Sequence, residues 1–288
     1  MTSSSGAPSS VLICGVARDC MSTLSDTLAN ITIWGNCFPS ARYVFVTNDN
    51  SDSTTDILRR WLIGKEDVAK VIVVDGAAGA INNKIDRLAF ARNSYLLHLN
   101  ELTESGSKID FLIVADMDGP NRHGPSGACL VDAIEQAPSD WAGLFPCQDG
   151  GFYDVSALRH DTWCPTDAWA EVAGGRLWRL LRLQYSPSRI QRYVHCKQVY
   201  IDPSESPIAV NSAFGGFAVY RVSALAASWY GSRDPAGRTV CEHVVFHAAV
   251  RDAGGGLYVM PCLRNDAPLE HLGNGSGAKR RPWVRAKL

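Results

Sequence analysis

The chain is expected to fold as α/β, with a mainly parallel central sheet flanked by helices. Three observations predict this. Short apolar runs alternate with helix-periodic segments through the first third of the sequence, which is the signature of parallel strands joined by helical crossovers. A long helical stretch then leads into an apolar run, Phe111 to Ala115, that stops abruptly at Asp116 and Asp118. Finally, 288 residues with 46% hydrophobic and 20% charged composition can bury a sizeable core as one domain.

The elements follow in order. Val11-Leu-Ile-Cys-Gly-Val16 reads as the first strand and ends at Ala17-Arg18-Asp19. A helix is expected from about Met21 to Ile33, with Leu24, Leu28 and Ile31 on one face. Tyr43-Val-Phe-Val46 is β-branched and aromatic, hence a strand, and Thr54 to Leu62 reads as the next helix. Val71-Ile-Val-Val74 is the third strand. The segment from about Asn83 to Glu101 carries Ile85, Leu88, Ala89, Arg92, Leu96 and Leu99 in helical spacing. Beyond the Asp-x-Asp strand the signals weaken, because Pro and Gly become frequent and Trp accumulates at 141, 163, 169, 178 and 229. Phe214 to Tyr220 and Leu257 to Met260 still read as ordered segments, with a helix from about Glu242 to Asp252 between them.

Residues 1–10 are small and polar and read as a disordered tail, leaving 11–288 as a single domain. It divides into a first part at about 11–120, a second at about 121–265, and a flexible basic segment at 266–288. With 28 Lys+Arg against 29 Asp+Glu the formal net charge is −1, so nothing in bulk charge argues for nucleic acid or an anionic membrane surface, and neither is expected as a partner. No apolar run reaches the ~18 residues of a membrane helix. Nine scattered Cys show no Cys-x-x-Cys and no zinc spacing, and the odd count without a secretory signal fits a cytoplasmic, reducing setting.

Chemistry is expected at the carboxyl ends of the strands, where ligands bind in such sheets. Residues two apart in a strand face the same side, so Asp116 and Asp118 can address one cation. Hard divalent ions prefer oxygen ligands, and Mg²⁺ or Mn²⁺ is commonly held by one or two carboxylates plus substrate phosphates. The pair is therefore a candidate nucleotide-sugar site, although turn or helix-cap aspartates look the same in sequence. Arg18, just past the first strand, could reach a phosphate. Asn48 and Asp49 follow the second strand and could contact a base edge or ribose hydroxyl, or could instead form an Asx-type turn. Lys84, Arg87 and Arg92 lie on the long helix; Arg87 and Arg92 sit among apolar neighbours and are the better candidates for a diphosphate, which guanidinium pairs in a fixed fork. Glu242 and His243 open a later helix, where an acid is also favoured by the helix dipole.

Asn-Lys-Ile-Asp-Arg87-Leu-Ala-Phe-Ala-Arg92-Asn93, then Phe-Leu-Ile-Val-Ala-Asp116-Met-Asp118, then Phe152-Tyr-Asp154-Val-Ser-Ala-Leu-Arg159 resemble the capsule-type mannosyltransferase family and related capsid-glycan glycosyltransferases. That resemblance covers about residues 11–265, is strongest between 84 and 160, and implies a nucleotide-binding half at about 11–120 and an acceptor-binding half at about 121–265. It implies a GT-A (Rossmann-like) nucleotide-sugar-binding fold, a donor such as a UDP- or GDP-sugar, a glycan acceptor and an Mn²⁺ or Mg²⁺ cofactor. By position it implies that Asp118 ligates the metal, Asp116 meets the metal or the ribose, and Asp154 meets a sugar hydroxyl. Gly215 and Gly216 would line the donor and acceptor pocket, and Glu242 would act on the acceptor hydroxyl or stabilise the reacting sugar. The tail from Glu270 to Trp283 resembles the closing segment of glycogenin-like retaining enzymes, which implies His271 as a metal ligand, cations at Lys279, Arg280 and Arg281, and retention of configuration.

Three other functions share parts of this pattern. Asp116-Met-Asp118-Gly119 resembles the nucleophile motif of haloacid-dehalogenase-type phosphatases, but Pro120 follows the glycine and three strands precede the motif. A sugar nucleotidyltransferase would show a richer Gly and basic loop than Gly15-Val-Ala-Arg-Asp19. A non-catalytic carbohydrate-binding module would explain the aromatic second half without requiring the acidic and basic constellation.

Overall fold

The computed structural model describes residues 10–174, 185–225, 228–268 and 272. Among these, eight strands form one sheet: β1 (Val11–Ala17), β2 (Ala41–Thr47), β3 (Ala69–Val73), β4 (Phe111–Asp116), β5 (Trp141–Gln148), β6 (Ile208–Ala209), β7 (Phe217–Arg221) and β8 (Gly256–Asn265). Their order is β3-β2-β1-β4-β7-β5-β8-β6. The ladders between β1, β2, β3 and β4 are parallel, β5 pairs parallel with β8, and β7 and β6 run against their neighbours. The expected α/β architecture with a mostly parallel sheet is the one observed.

Alternate side chains of each strand enter different cores. Leu12, Cys14, Val44, Val46, Leu112 and Val114 pack with Tyr95, Leu96 and Leu99 of helix α4 (Lys84–Glu104) on one side. Val11, Ile13, Phe45, Ile113 and Ala115 pack with Leu24, Leu28, Ile31 and Trp34 of helix α1 (Met21–Gly35) on the other. Strands covered on both faces must be apolar throughout, and this is why they were legible as runs. Helices α2 (Thr54–Leu62), α3 (Ala77–Ala80), α5 (Gly127–Glu135), α6 (Ala168–Ala173), α7 (Pro187–Tyr193) and α8 (Glu242–Asp252) complete the described regular helices, with two short 3-10 turns.

The structure corrects the sequence reading in several places. Ser10, assigned to the tail, is buried and donates its hydroxyl to Asp110 at 2.9 Å. Strand β5 was not anticipated, because Gly143 and Pro146 interrupt its β pattern. Its pairing with β8 shifts register between Phe145 and Cys147, so the proline sits at an irregularity where its missing N–H is tolerated. Helix α5 was also missed; the Ser126 hydroxyl caps it by accepting from Cys129 N at 3.2 Å. Strand β7 begins at Phe217, because Gly215 and Gly216 both have positive φ and cannot belong to it.

Candidate active site

The carboxyl ends of β1, β2 and β4 open onto a cleft of about 870 Å³. Arg18 and Asp19 reach it from β1, Asn48 from β2, Asp116 and Asp118 from β4, and Lys84, Arg87 and Arg92 from α4. The opposite wall comes from the second half of the chain and includes Tyr153, Asp154, Trp169, His195, Phe214 and Glu242.

Pleating sorts the residues at the end of β4. Ala115 and Met117 are fully buried on the α1 side, while Asp116 is part-exposed and Asp118 exposed, and both aspartates line the cleft. Asp116 Oδ1 accepts from Arg92 Nη2 at 3.0 Å, and Arg92 Nε donates to Glu242 Oε1, also at 3.0 Å. Arg92 and Glu242 are 3% and 4% exposed. The guanidinium therefore lies between two carboxylates drawn from different elements, a sheet end and a helix start, and it packs over Phe214 with 4.9 Å to the ring centre. Arg92 was expected to meet a diphosphate. Instead two of its three guanidinium nitrogens are taken by carboxylates and the third, Nη1, is buried.

A glycine turn passes beside this triad. Asp116 N donates to Gly216 O at 2.8 Å, and Asn121 Nδ2 donates to the carbonyls of Asp116 and Gly216 at 2.9 and 2.7 Å. Asn265 donates to Asn121 Oδ1 and Gly215 O at 3.1 and 2.9 Å, and Gln148 donates to Asn265 Oδ1 at 2.7 Å. These amides add a second donor to the Gly216 carbonyl and hydrogen bonds to the carbonyls of Asp116 and Gly215. They also anchor the end of β8 to the loop that follows β4, with Asp266 N donating to Pro120 O at 2.8 Å.

Asp154 accepts from Gly215 N at 3.1 Å and from Ala157 N at 3.3 Å. Burial pushes its carboxyl up to about 6, against the pull of those two N–H groups, with Asp116 and Glu242 adding like charge. Glu242 stands in the first turn of α8. Beside it, His243 is 2% exposed and stacks on Phe214 at 3.8 Å between ring centres. Burial holds its imidazole well below 6.5, with the Arg92 charge acting the same way, so it is neutral. His247, one turn on, bonds Ser212 Oγ at 2.8 Å and Tyr220 OH at 2.7 Å, and burial lowers it to about 3. It belongs to the core.

The loop after β2 divides its duties. Asn48 is 8% exposed and lines the cleft. Asp49 is used locally: its carboxylate accepts from Gly76 N at 2.6 Å and Ala78 N at 2.8 Å, at the start of α3, and from Asn48 Nδ2 at 2.9 Å. These hydrogen bonds, Asn48 first, hold its carboxyl below the usual range. Arg87 lines the cleft while Nη1 donates to the carbonyls of Ile81 and Asn82 at 2.6 and 3.0 Å. His271, Lys279, Arg280 and Arg281 lie outside the described residues. Sequence reasoning missed Trp169, His195 and Gln198 in the far wall and the Asn121–Gln148–Asn265 network. The first three carry no motif spacing, and the last joins residues up to 144 positions apart.

Asp116 and Asp118 offer hard oxygen donors to an ion. Among the described residues no group of three or more His, Cys, Asp or Glu could hold a metal by itself. Two carboxylates at a cleft that also gathers cations fit an ion shared with a diphosphate, whose oxygens and water complete the shell.

The structure of a mannosyltransferase from Pyrobaculum calidifontis, PcManGT, solved with GDP-Man and Mn²⁺, matches 91% of this chain at a TM-score of 0.50 and 13% identity. The fold is of the GT-A type. S. aureus TarS matches 88% of the chain at a TM-score of 0.43 and 11% identity. Mannosyl-3-phosphoglycerate synthase from Rubrobacter xylanophilus matches 91% at 0.43 and 11%. The chain spans 57% of the matched PcManGT chain, 59% of TarS and 68% of the synthase. No protein-family model matches the chain, and no match to a curated protein is significant.

Proposed function

We propose that the chain is a metal-dependent glycosyltransferase that moves a sugar from a nucleoside-diphosphate sugar to a hydroxyl of a glycan acceptor. One observation carries this reading. A single cleft at the carboxyl ends of parallel strands brings the Asp116/Asp118 pair together with Arg18, Lys84 and Arg87 on the near side and Asp154 and Glu242 on the far side. The GT-A fold supports it, as does the PcManGT structure solved with GDP-Man and Mn²⁺.

Asp118, the exposed member, would be the direct ligand of Mn²⁺ or Mg²⁺, with Asp116 beside it and His271 a further ligand. When bound, the ion would offset the charge of the departing diphosphate and act as a Lewis acid. Arg18 and Arg87 supply fixed positive charge to the phosphates, joined by the tail cations. Asn48 is assigned to the base or ribose, while Asp49 only steadies its loop, and Gly215 and Gly216 let backbone approach the sugar. Asp154, raised to about 6 and so mainly a carboxylate at pH 7, can accept a hydrogen bond from a donor-sugar hydroxyl. Glu242 is assigned to the acceptor hydroxyl or to the reacting sugar, and retention of configuration is the preferred stereochemical outcome.

Phosphatase chemistry would require Asp116 to be the attacking carboxylate, whereas it is ion-paired with Arg92. All nine cysteines are free thiols, which supports a reducing, cytoplasmic setting. No helix among the described residues is long and apolar enough to cross a membrane.

The test is a screen of nucleoside diphosphates and their sugars for thermal stabilisation with Mn²⁺ and with EDTA. A raised Tm with one nucleotide, dependent on Mn²⁺, is expected. The reading is lost if no nucleotide stabilises the protein and Asp118→Ala behaves like wild type in every assay. The anomeric proton of the product, read by NMR, decides between retention and inversion.

A further inference from the structure

We infer that Arg92 is a positioning residue that ties the metal-binding end of β4 to the acceptor-side carboxylate, and that it is not a ligand of the donor diphosphate. The inference rests on the glycosyltransferase reading above. Its basis is geometric. Nε donates to Glu242 Oε1 and Nη2 to Asp116 Oδ1, both at 3.0 Å, so one planar fork sets the separation of two carboxylates that are 126 residues apart in sequence. Nη1 is buried, and the residue as a whole is 3% exposed. The guanidinium is also sandwiched by rings, with 4.9 Å to Phe214 and 5.8 Å to Tyr230. Nη1 has no hydrogen-bond partner but is closed off from the cleft, so a phosphate could reach it only if the packing around the guanidinium shifted, and Nε and Nη2 could turn to one only by breaking an ion pair.

Electrostatics makes the arrangement necessary. Asp116 and Glu242 would repel each other in a part-buried site, and the guanidinium placed between them offsets that repulsion. Lysine carries the same charge, but it is a point donor and cannot hold two carboxylates at the fixed spacing of the fork. The coupling is reciprocal: whatever displaces Glu242 alters the hold on Asp116 through the same group.

The test compares wild type with Arg92→Lys. It measures apo Tm, affinity for the diphosphate of the nucleotide the screen selects, in EDTA and in Mn²⁺, and donor KM and kcat. Arg92→Lys is expected to bind the diphosphate in EDTA within about threefold of wild type while losing at least tenfold in the increment that Mn²⁺ adds. It is also expected to lose on the order of a hundredfold in kcat with donor KM nearly unchanged, because a transition-state arrangement is lost and ground-state binding is kept. If Arg92→Lys does not fold, Arg92→Gln/Glu242→Gln removes one charge of each sign together and carries the same binding readouts. A drop of tenfold or more in metal-free diphosphate affinity overturns the assignment, since Arg92 would then be a phosphate ligand. So does an unchanged Mn²⁺ increment with unchanged kcat. If wild type gains no Mn²⁺-dependent stability from any nucleotide, the glycosyltransferase reading itself fails and takes this inference with it.

Discussion

The backbone N–H of Asp116 donates to the carbonyl of Gly216 at 2.8 Å. This single bond joins the first carboxylate of the Asp-x-Asp to a glycine turn 100 residues further along the chain. The turn needs glycine there. Gly216 has φ +81°, and a Cβ on it would lie 2.7 Å from Pro120 Cβ and 2.8 Å from Tyr153 OH. Gly216→Ala is therefore expected to cost about 3 kcal/mol through backbone strain and overpacking combined. It should also displace Pro120 and so weaken Mn²⁺-dependent nucleotide binding. A thermal unfolding curve superimposable on wild type would sink this account.

Asp118 is exposed, whereas Asp116 is tied into an ion pair. Asp118→Ala should leave apo stability within about 0.5 kcal/mol of wild type, as surface substitutions do. It should abolish the extra Tm that Mn²⁺ confers in the presence of nucleotide. The paired measurement separates ligation from folding, because a structural aspartate would lower the apo Tm instead.

Two buried groups set opposing pH dependences. His247 has its pKa lowered to about 3 by burial, so the unfolded chain, with a value of about 6.5, binds the proton first. Its contribution is present above pH 6.5 and is lost as pH falls, by about 2 kcal/mol at pH 5. Asp154 runs the other way. Its carboxyl is raised to about 6, so lowering the pH from 7 to 5 relieves the native state by about 1 kcal/mol. In EDTA, wild type should lose little stability between pH 7 and 5 from this pair, and Asp154→Asn should lose visibly more. Equal losses in urea unfolding of the two proteins would refute the assignment. His243, also held low by burial, adds to the loss on acidification.

Trp169 keeps 39% of its surface exposed while lining the far wall of the cleft. An indole face of that kind stacks on apolar sugar faces at small conformational cost. Trp169→Ala should raise KM for a glycan acceptor about tenfold, equivalent to ~1.4 kcal/mol, with donor KM unchanged. A donor-side effect of the same size would move the tryptophan to the other half of the reaction.

The sheet was readable wherever local pattern and burial agree. Thr54–Leu62 and Glu242–Asp252 were bounded correctly because their apolar periodicity is uninterrupted. Strand β5 was not, because Pro146 is tolerated only through a register shift against β8, a partner more than 100 residues away. Arg92 was picked out by its apolar neighbours, and that signal was sound: it marks burial. What it meets depends on α4 packing near α8, which no local spacing encodes.

The order of strands and longer helices in the first 118 residues, without the four-residue α3, the pairing of Asp116 with Asp118 on one side of a strand end, and the absence of a charge bias follow from the sequence alone. They depend on periodicity, strand pleating and residue chemistry, all of which act over a few positions. The tertiary structure decided that Asp116 and Glu242 share one guanidinium, that Asp49 spends its carboxylate on backbone N–H groups, and that Asn121, Gln148 and Asn265 hold the glycine turn. Each of these is a contest among polar groups for partners in a buried volume, and its outcome depends on which distant segments the packed sheet brings within about 3 Å.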